Sequence, residues 1–147
     1  MNEDIGVLIA DVAMKILIEA NKPVKNANVF IMGITFKENC PDIRNSKTGD
    51  IAKRLKAHQI NVQIVDPVAD KEDVQRIYQI EMTKLQDVRE ADCIIFAVAH
   101  NEFRTMSYKE LDAMYKEMPF NKNIIIDVKS IFNKEELEKK GYIYWSL

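Results

Sequence analysis

Asn28-Val29-Phe30-Ile31-Met32-Gly33-Ile34 is a short apolar run with the signature of a β-strand covered on both faces. A polar loop follows over residues 35–45. Ser46 is then a good N-cap for a helix through about His58, with Ile51, Ala52, Leu55 and Ala57 as its apolar contacts. The same pattern repeats downstream. Residues 60–65 (INVQIV) read as a second strand ended by Asp66-Pro67, residues 71–78 as a helix, and 79–82 as a weak extended piece. A short helical linker is predicted over 84–91. Residues 93–99 (CIIFAVA) give the clearest buried strand, and Ser107 is placed to cap a helix over 108–117. A strand at 123–127, a helix at 134–140 and an edge strand at 142–145 complete the chain. Upstream, Ile5, Leu8, Ile9, Val12 and Ile16, widened by Ala13, Leu17 and Ala20, mark an amphipathic helix over 4–21 that Asn21-Lys22-Pro23 ends.

Strands alternating with helices at this spacing predict an α/β, Rossmann-like, doubly wound parallel sheet of about five to six strands with a long N-terminal helix. Residues 1–24 are expected to be a helical leader and residues 25–147 the domain proper. The chain has 147 residues, 47% hydrophobic and 30% charged, the balance of one globular domain large enough to need no disulfide or structural metal. Twenty-one Lys+Arg against 23 Asp+Glu leave a net charge of −2, which gives no whole-chain reason to expect nucleic-acid or membrane binding. Two cysteines, Cys40 and Cys93, fit a reducing cytoplasm and cannot form a disulfide framework or a four-ligand zinc site. The acidic start and the breaks at Asp11, Lys15 and Glu19 argue against a signal peptide or a membrane span.

Open parallel sheets take ligands at the carboxyl ends of their strands, where the strand order reverses. If the first strand lies beside the 93–99 strand, the loops at 35–45, 100–106 and 128–133 flank that crevice. They bring Lys37, Arg44, Lys47, His100, Arg104 and Lys129 to one edge, beside a helix N-terminus that favours anions. A phosphorylated ligand is the expected partner. The single Gly33 excludes a Gly-x-Gly-x-x-Gly cradle, so the domain is not the primary NAD module. Asp66, ahead of Pro67, reads as a turn-forming residue. A Cys40–His100 thiolate–imidazole pair is conceivable but lacks a third, orienting group. Cys93 reads as inert core. Tyr142, Tyr144 and Trp145 read as covers for the core or an interface.

Gly33-Ile34-Thr35-Phe36-Lys37-Glu38-Asn39-Cys40-Pro41-Asp42-Ile43-Arg44-Asn45-Ser46 resembles the Gly-x-x-Phe-Lys…Asp-x-Arg-x-Ser segment of the nucleotide-sugar 6-dehydrogenases, the UDP-glucose/GDP-mannose dehydrogenase family. The resemblance continues through Val65-Asp66-Pro67, Ala97-Val98-Ala99-His100-Asn101-Glu102-Phe103 and Ile126-Asp127-Val128-Lys129, and its wording is most similar to the branch acting on UDP-N-acetylhexosamines for surface polysaccharides. It covers only the family's C-terminal, nucleotide-sugar-binding part. The resemblance implies that Phe36, largely through its backbone, Lys37 and Lys129 meet the UDP-sugar, and that Arg44 reaches towards NAD. Asp42 and Ser46 shape the loop and cap the helix. The intact enzyme would oxidise the sugar's C6 alcohol to a carboxylate with two NAD⁺, through a cysteine that has no counterpart here, so this stretch by itself is expected to be inactive. A bacterial cytoplasmic protein is implied, with a homodimer or higher species formed through the N-terminal helix, where Ile5, Leu8, Ile9, Val12 and Ile16 would be partly exposed. Two other readings remain: a stand-alone, non-catalytic nucleotide or phosphosugar module, and a thiol enzyme using Cys40 and His100.

Overall fold

In the computed structural model, which describes residues 5–44, 46–118 and 122–147, five parallel strands form one sheet in the order β2-β1-β3-β4-β5. These are β1 (Asn28–Met32), β2 (Asn61–Val65), β3 (Cys93–Phe96), β4 (Ile124–Asp127) and β5 (Ile143–Ser146). The strands alternate with α1 (Ile5–Glu19), α2 (Lys47–Ala57), α3 (Lys71–Tyr78), α4 (Asn101–Arg104), α5 (Tyr108–Asp112) and α6 (Lys134–Lys139). The doubly wound α/β sheet is therefore as expected, and the start proposed for the first helix at Asp4 lies outside the described residues. The extended piece at 79–82 is reduced to a single bridge from Met82 to Ile64, so among the described residues the sheet has five strands. The linker over 84–91 is one 3₁₀ turn, Leu85–Asp87, and α5 stops at Asp112, well short of 117.

Period-two alternation sorts each strand between two cores. Val29 and Ile31, Cys93 and Ile95, and Ile124 and Ile126 face α1 and α2. Phe30 and Met32, Ile94 and Phe96, and Ile125 face the layer that carries Phe103, Leu111 and Leu137. Sheet residues covered on both faces have no polar side to show, which is why these strands read as continuous apolar runs. Tyr142 is buried in the second core and Trp145 packs against the first. Burial pushes the Cys93 thiol up to about 12, leaving it unreactive.

The N-terminal helix departs from expectation. Ile9 and Ile16, expected to be partly exposed, are buried against the sheet and α2, together with Gly6, Ala10, Ala13, Leu17 and Ala20. Leu8 lies outside the buried arc at 47% exposure. The physical reason is close approach. A Cβ on Gly6 would sit 2.7 Å from the Asp50 Cβ, so the α1–α2 crossing is set by small residues that a stripe of large aliphatics does not mark. Beyond α1, Lys22 turns inward and donates to the Asp92 backbone oxygen at 2.7 Å, which pins the helix exit to the amino edge of the sheet. No helix among the described residues is long and apolar enough to cross a membrane.

Candidate functional site

The strand order reverses between β1 and β3, and the ladder runs past both ends. Gly33 N donates to Val65 O (2.8 Å), Ala97 N and Val98 N to Met32 O (2.9 and 3.2 Å), and Val128 N to Phe96 O (3.0 Å). Three carboxyl-end loops are thus set side by side. Gly33 is required there: its φ is +105°, and a Cβ would fall 2.5 Å from the Val98 Cβ.

Over this edge lies a cleft of about 240 Å³, bounded by Thr35–Glu38, by Ser46–Thr48 at the start of α2, by Ala97 and Val98, and by Val128 and Lys129. Ile5 and Ile9 of α1, Ile51 of α2 and Leu147 supply apolar wall. Phe36, Lys37 and Lys129, three of the residues singled out in the sequence, share this cleft with Lys47. One acidic side chain, Glu38, also lines it, so three lysines and one acid are among the lining residues. The Ser46 side chain accepts from Thr48 N at 3.2 Å and caps α2, turning the positive end of that helix into the cleft. Phe36 is 61% exposed, and its N–H is already used by Asp42 O at 2.6 Å. What it offers a ligand is therefore its ring and its carbonyl.

The other cations named in the sequence lie elsewhere. Arg44 is held by Asp42, Nε to Oδ1 at 3.0 Å and a terminal nitrogen to Oδ2 at 3.1 Å, and does not line the cleft. These hydrogen bonds, with a further one from Arg44 N, hold the exposed Asp42 carboxyl down to about 2. Arg104 donates to Ala99 O. His100 is fully buried and serves the loop: its Nε2 lies 3.0 Å from Asp66 Oδ2 and 3.1 Å from Thr35 Oγ1, and its Nδ1 accepts from Asn39 N at 2.9 Å. With both ring nitrogens engaged by other groups, a thiolate–imidazole pair with Cys40 has no support.

Two buried carboxylates brace the cleft loops, and only one of them was marked in the sequence as shaping a turn. Asp66 accepts from Val68 N and Ala69 N, as a turn-forming Asp should, and also from Ile34 N (2.8 Å) and Thr35 N (3.2 Å). Burial pushes its carboxyl up, but the bonds from His100, Ile34 and Val68 outweigh burial and hold it below its ordinary value. Asp127, at the end of β4, braces its own loop by accepting from Ile131 N, Phe132 N and the Tyr144 hydroxyl. The available signal was an acid closing an apolar strand just before a polar turn. Among the described residues, no group of three or more His, Cys, Asp or Glu could hold a metal ion.

Sheet order and lysine-lined crevice define the class, a Rossmann-like α/β domain with a cationic cleft at its switch point. The model of the UDP-glucose/GDP-mannose dehydrogenase family, UDP binding domain, matches residues 30–134, and the chain belongs to that family. It is 33% identical over 136 residues to UDP-N-acetyl-D-glucosamine 6-dehydrogenase of Salmonella typhi, covering 92% of this chain and 31% of that protein. It is 32% identical over 137 residues to Protein CapL of Staphylococcus aureus, covering 93% and 31%. Among solved structures, the NDP-N-acetyl-D-galactosaminuronic acid dehydrogenase of Methanosarcina mazei Go1 superposes with a TM-score of 0.83 at 19% identity, over 99% of this chain and 29% of that one, which shows the shared fold. The chain spans about a third of the length of these curated relatives, 31% in each case.

The family is one of NAD-dependent UDP-sugar dehydrogenases. The described residues at this edge do not form a dinucleotide cradle. The turn after β1 has one glycine, and Asp66, where a ribose-binding acid would stand, has a side chain closed to solvent and fully spent on the loops.

Proposed function

We propose that this chain is the nucleotide-sugar-binding part of an NAD-dependent UDP-sugar 6-dehydrogenase acting on a UDP-N-acetylhexosamine, in the synthesis of capsular or surface polysaccharide in a bacterial cytoplasm. The observation that carries the reading is the convergence of Phe36, Lys37, Lys47 and Lys129 on one cleft at the switch point. A diphosphate carries its charge in a compact group, and three ammonium groups beside a capped helix start are the matching field. Lys37 and Lys129 are assigned to the sugar–phosphate end of the ligand. Phe36 is assigned to its edge. The amino-sugar assignment is supported by the name of the relative from Salmonella typhi.

In this reading residues 25–147 are the binding domain and residues 1–24 the helical leader. The C6 chemistry and the principal NAD site belong to other parts of the enzyme. Arg44, outside the cleft on an exposed loop, is assigned to the side facing NAD. Association into a dimer or higher species uses the outer face of α1, where Val7, Leu8 and Ile18 are exposed.

Titration calorimetry with UDP tests the site. Lys37→Ala and Lys129→Ala should each weaken UDP by about tenfold, the scale of one lost charge-assisted contact. Absence of UDP binding at millimolar concentration overturns the reading.

A further inference from the structure

The loop that carries Phe36 and Lys37 is exposed from residue 36 to 39 and contains no helix or strand. Such a segment wanders unless something holds it, and an unheld wall would have to be ordered each time a ligand bound. Several tethers are visible, and at its far end the Tyr78 hydroxyl donates to Ile43 O at 2.5 Å. Asp66 holds its root through Ile34 N and Thr35 N. The Phe36 N–H closes the loop on Asp42 O. Among the described residues its crest is held from the start of α4, where His100 Nδ1 accepts from Asn39 N at 2.9 Å and Asn101 N donates to Asn39 Oδ1 at 3.2 Å.

The partners of the His100 ring assign its tautomer. Nδ1 faces a backbone N–H, which can only donate, so Nδ1 carries no proton. The ring proton therefore sits on Nε2, shared between Asp66 Oδ2 at 3.0 Å and Thr35 Oγ1 at 3.1 Å, while the Thr35 hydroxyl donates onward to Lys37 O at 3.0 Å. Every link runs the same way. Asp66 fixes the ring, the ring receives Asn39, and Thr35 receives the ring and holds Lys37. The other histidine is a built-in contrast: His58 Nδ1 faces the Arg54 carbonyl at 2.9 Å and must carry the proton there.

We propose that His100 is a positioning residue of the cleft: as the neutral Nε2–H tautomer it receives the Asn39 N–H and holds the 36–44 loop where Phe36 and Lys37 wall the ligand site. For ligand affinity this rests on the UDP reading; for loop order it does not.

Two substitutions separate the two halves of the ring. In His100→Asn the side-chain oxygen takes the place of Nδ1 and still accepts from Asn39. In His100→Gln the side-chain amide reaches the Nε2 position and still donates to Asp66, but Asn39 loses its acceptor. Amide exchange should be faster across the described residues 37–44 in His100→Gln and close to wild type in His100→Asn. UDP affinity should fall about tenfold in the first and stay within about threefold in the second. Equal exchange in the two variants overturns the proposal. If UDP fails to bind the wild-type chain while exchange separates the variants, the UDP reading falls and the positioning role stands. Long-range ¹H–¹⁵N spectra of the unmodified protein need no variant to fold. They should show an unprotonated Nδ1 on His100 and a protonated one on His58, and a proton on His100 Nδ1 also overturns the assignment.

Discussion

Asp66 is where burial and hydrogen bonding oppose each other most directly. Its carboxylate is buried, and it receives four backbone N–H groups and a ring N–H. Because the folded-state pKa is held below the unfolded value, the carboxylate contributes stability that is complete above about pH 4, the ordinary aspartate value, and is lost as pH falls through the folded value. Denaturant unfolding from pH 7 to pH 3 should therefore show wild type losing stability below about pH 4, with that part of the slope absent in Asp66→Asn. An unchanged slope in the variant would assign the acid sensitivity to other carboxylates. Val65-Asp66-Pro67 shows the turn in the sequence, and the turn is there. What it does not show is that the same carboxylate reaches Ile34, Thr35 and His100, because those partners are 31 to 34 residues away and meet only once the sheet has formed. His100 illustrates the same limit. Read as a cation by residue type, it is a buried brace by position.

At the scale of elements, legibility follows the physics that makes each one. Helix α2 begins after the expected cap at Ser46, and α3 covers the expected 71–78, because caps and periodicity are local. Helix α4 is four residues long and ends within one turn, too short to set up a period. Helix α1 was legible as a helix and largely in its orientation: Ile9, Ala13, Ile16, Leu17 and Ala20 of the expected stripe are buried and Leu8 is not, while the stripe did not mark Gly6 and Ala10. Apolar residues occupy most of its circumference, and the arc that faces inward is the one with Gly6, Ala10 and Ala13, where backbones come close. A helix packed this way is core, which fixes the cost of disturbing it. Ile9→Ala removes a side chain 1% exposed and should cost about 2–4 kcal/mol in chemical denaturation. Ile18→Ser, at a position 63% exposed, should stay within about 0.5 kcal/mol when measured at a dilution where the chain is monomeric. Equal, small effects would show that α1 is only loosely attached to the sheet.

The whole molecule is slightly acidic, yet its sheet presents a cationic crevice, and the two facts together make a prediction about salt. A net charge of −2 gives no long-range attraction for a nucleotide, so any electrostatic pull must come from Lys37, Lys47 and Lys129 locally, with Glu38 opposing them. These side chains are exposed, and mobile ions screen exposed charges over about 10 Å at 0.1 M salt. The chemistry of the ligand decides how much this matters. In the proposed reading UDP would bring a diphosphate to the lysines, whereas uridine would bring only a ring and a sugar to the apolar wall formed by Ile5, Ile9, Ile51 and Val98. UDP affinity should therefore fall steadily as salt is raised from 50 to 500 mM, about tenfold across that range if one to two ion contacts are screened. Uridine affinity should stay nearly flat over the same titration, and the difference between the two slopes measures the phosphate share of binding. Parallel slopes would mean that the lysines do not touch the phosphates, and that the crevice recognises its ligand through the apolar wall.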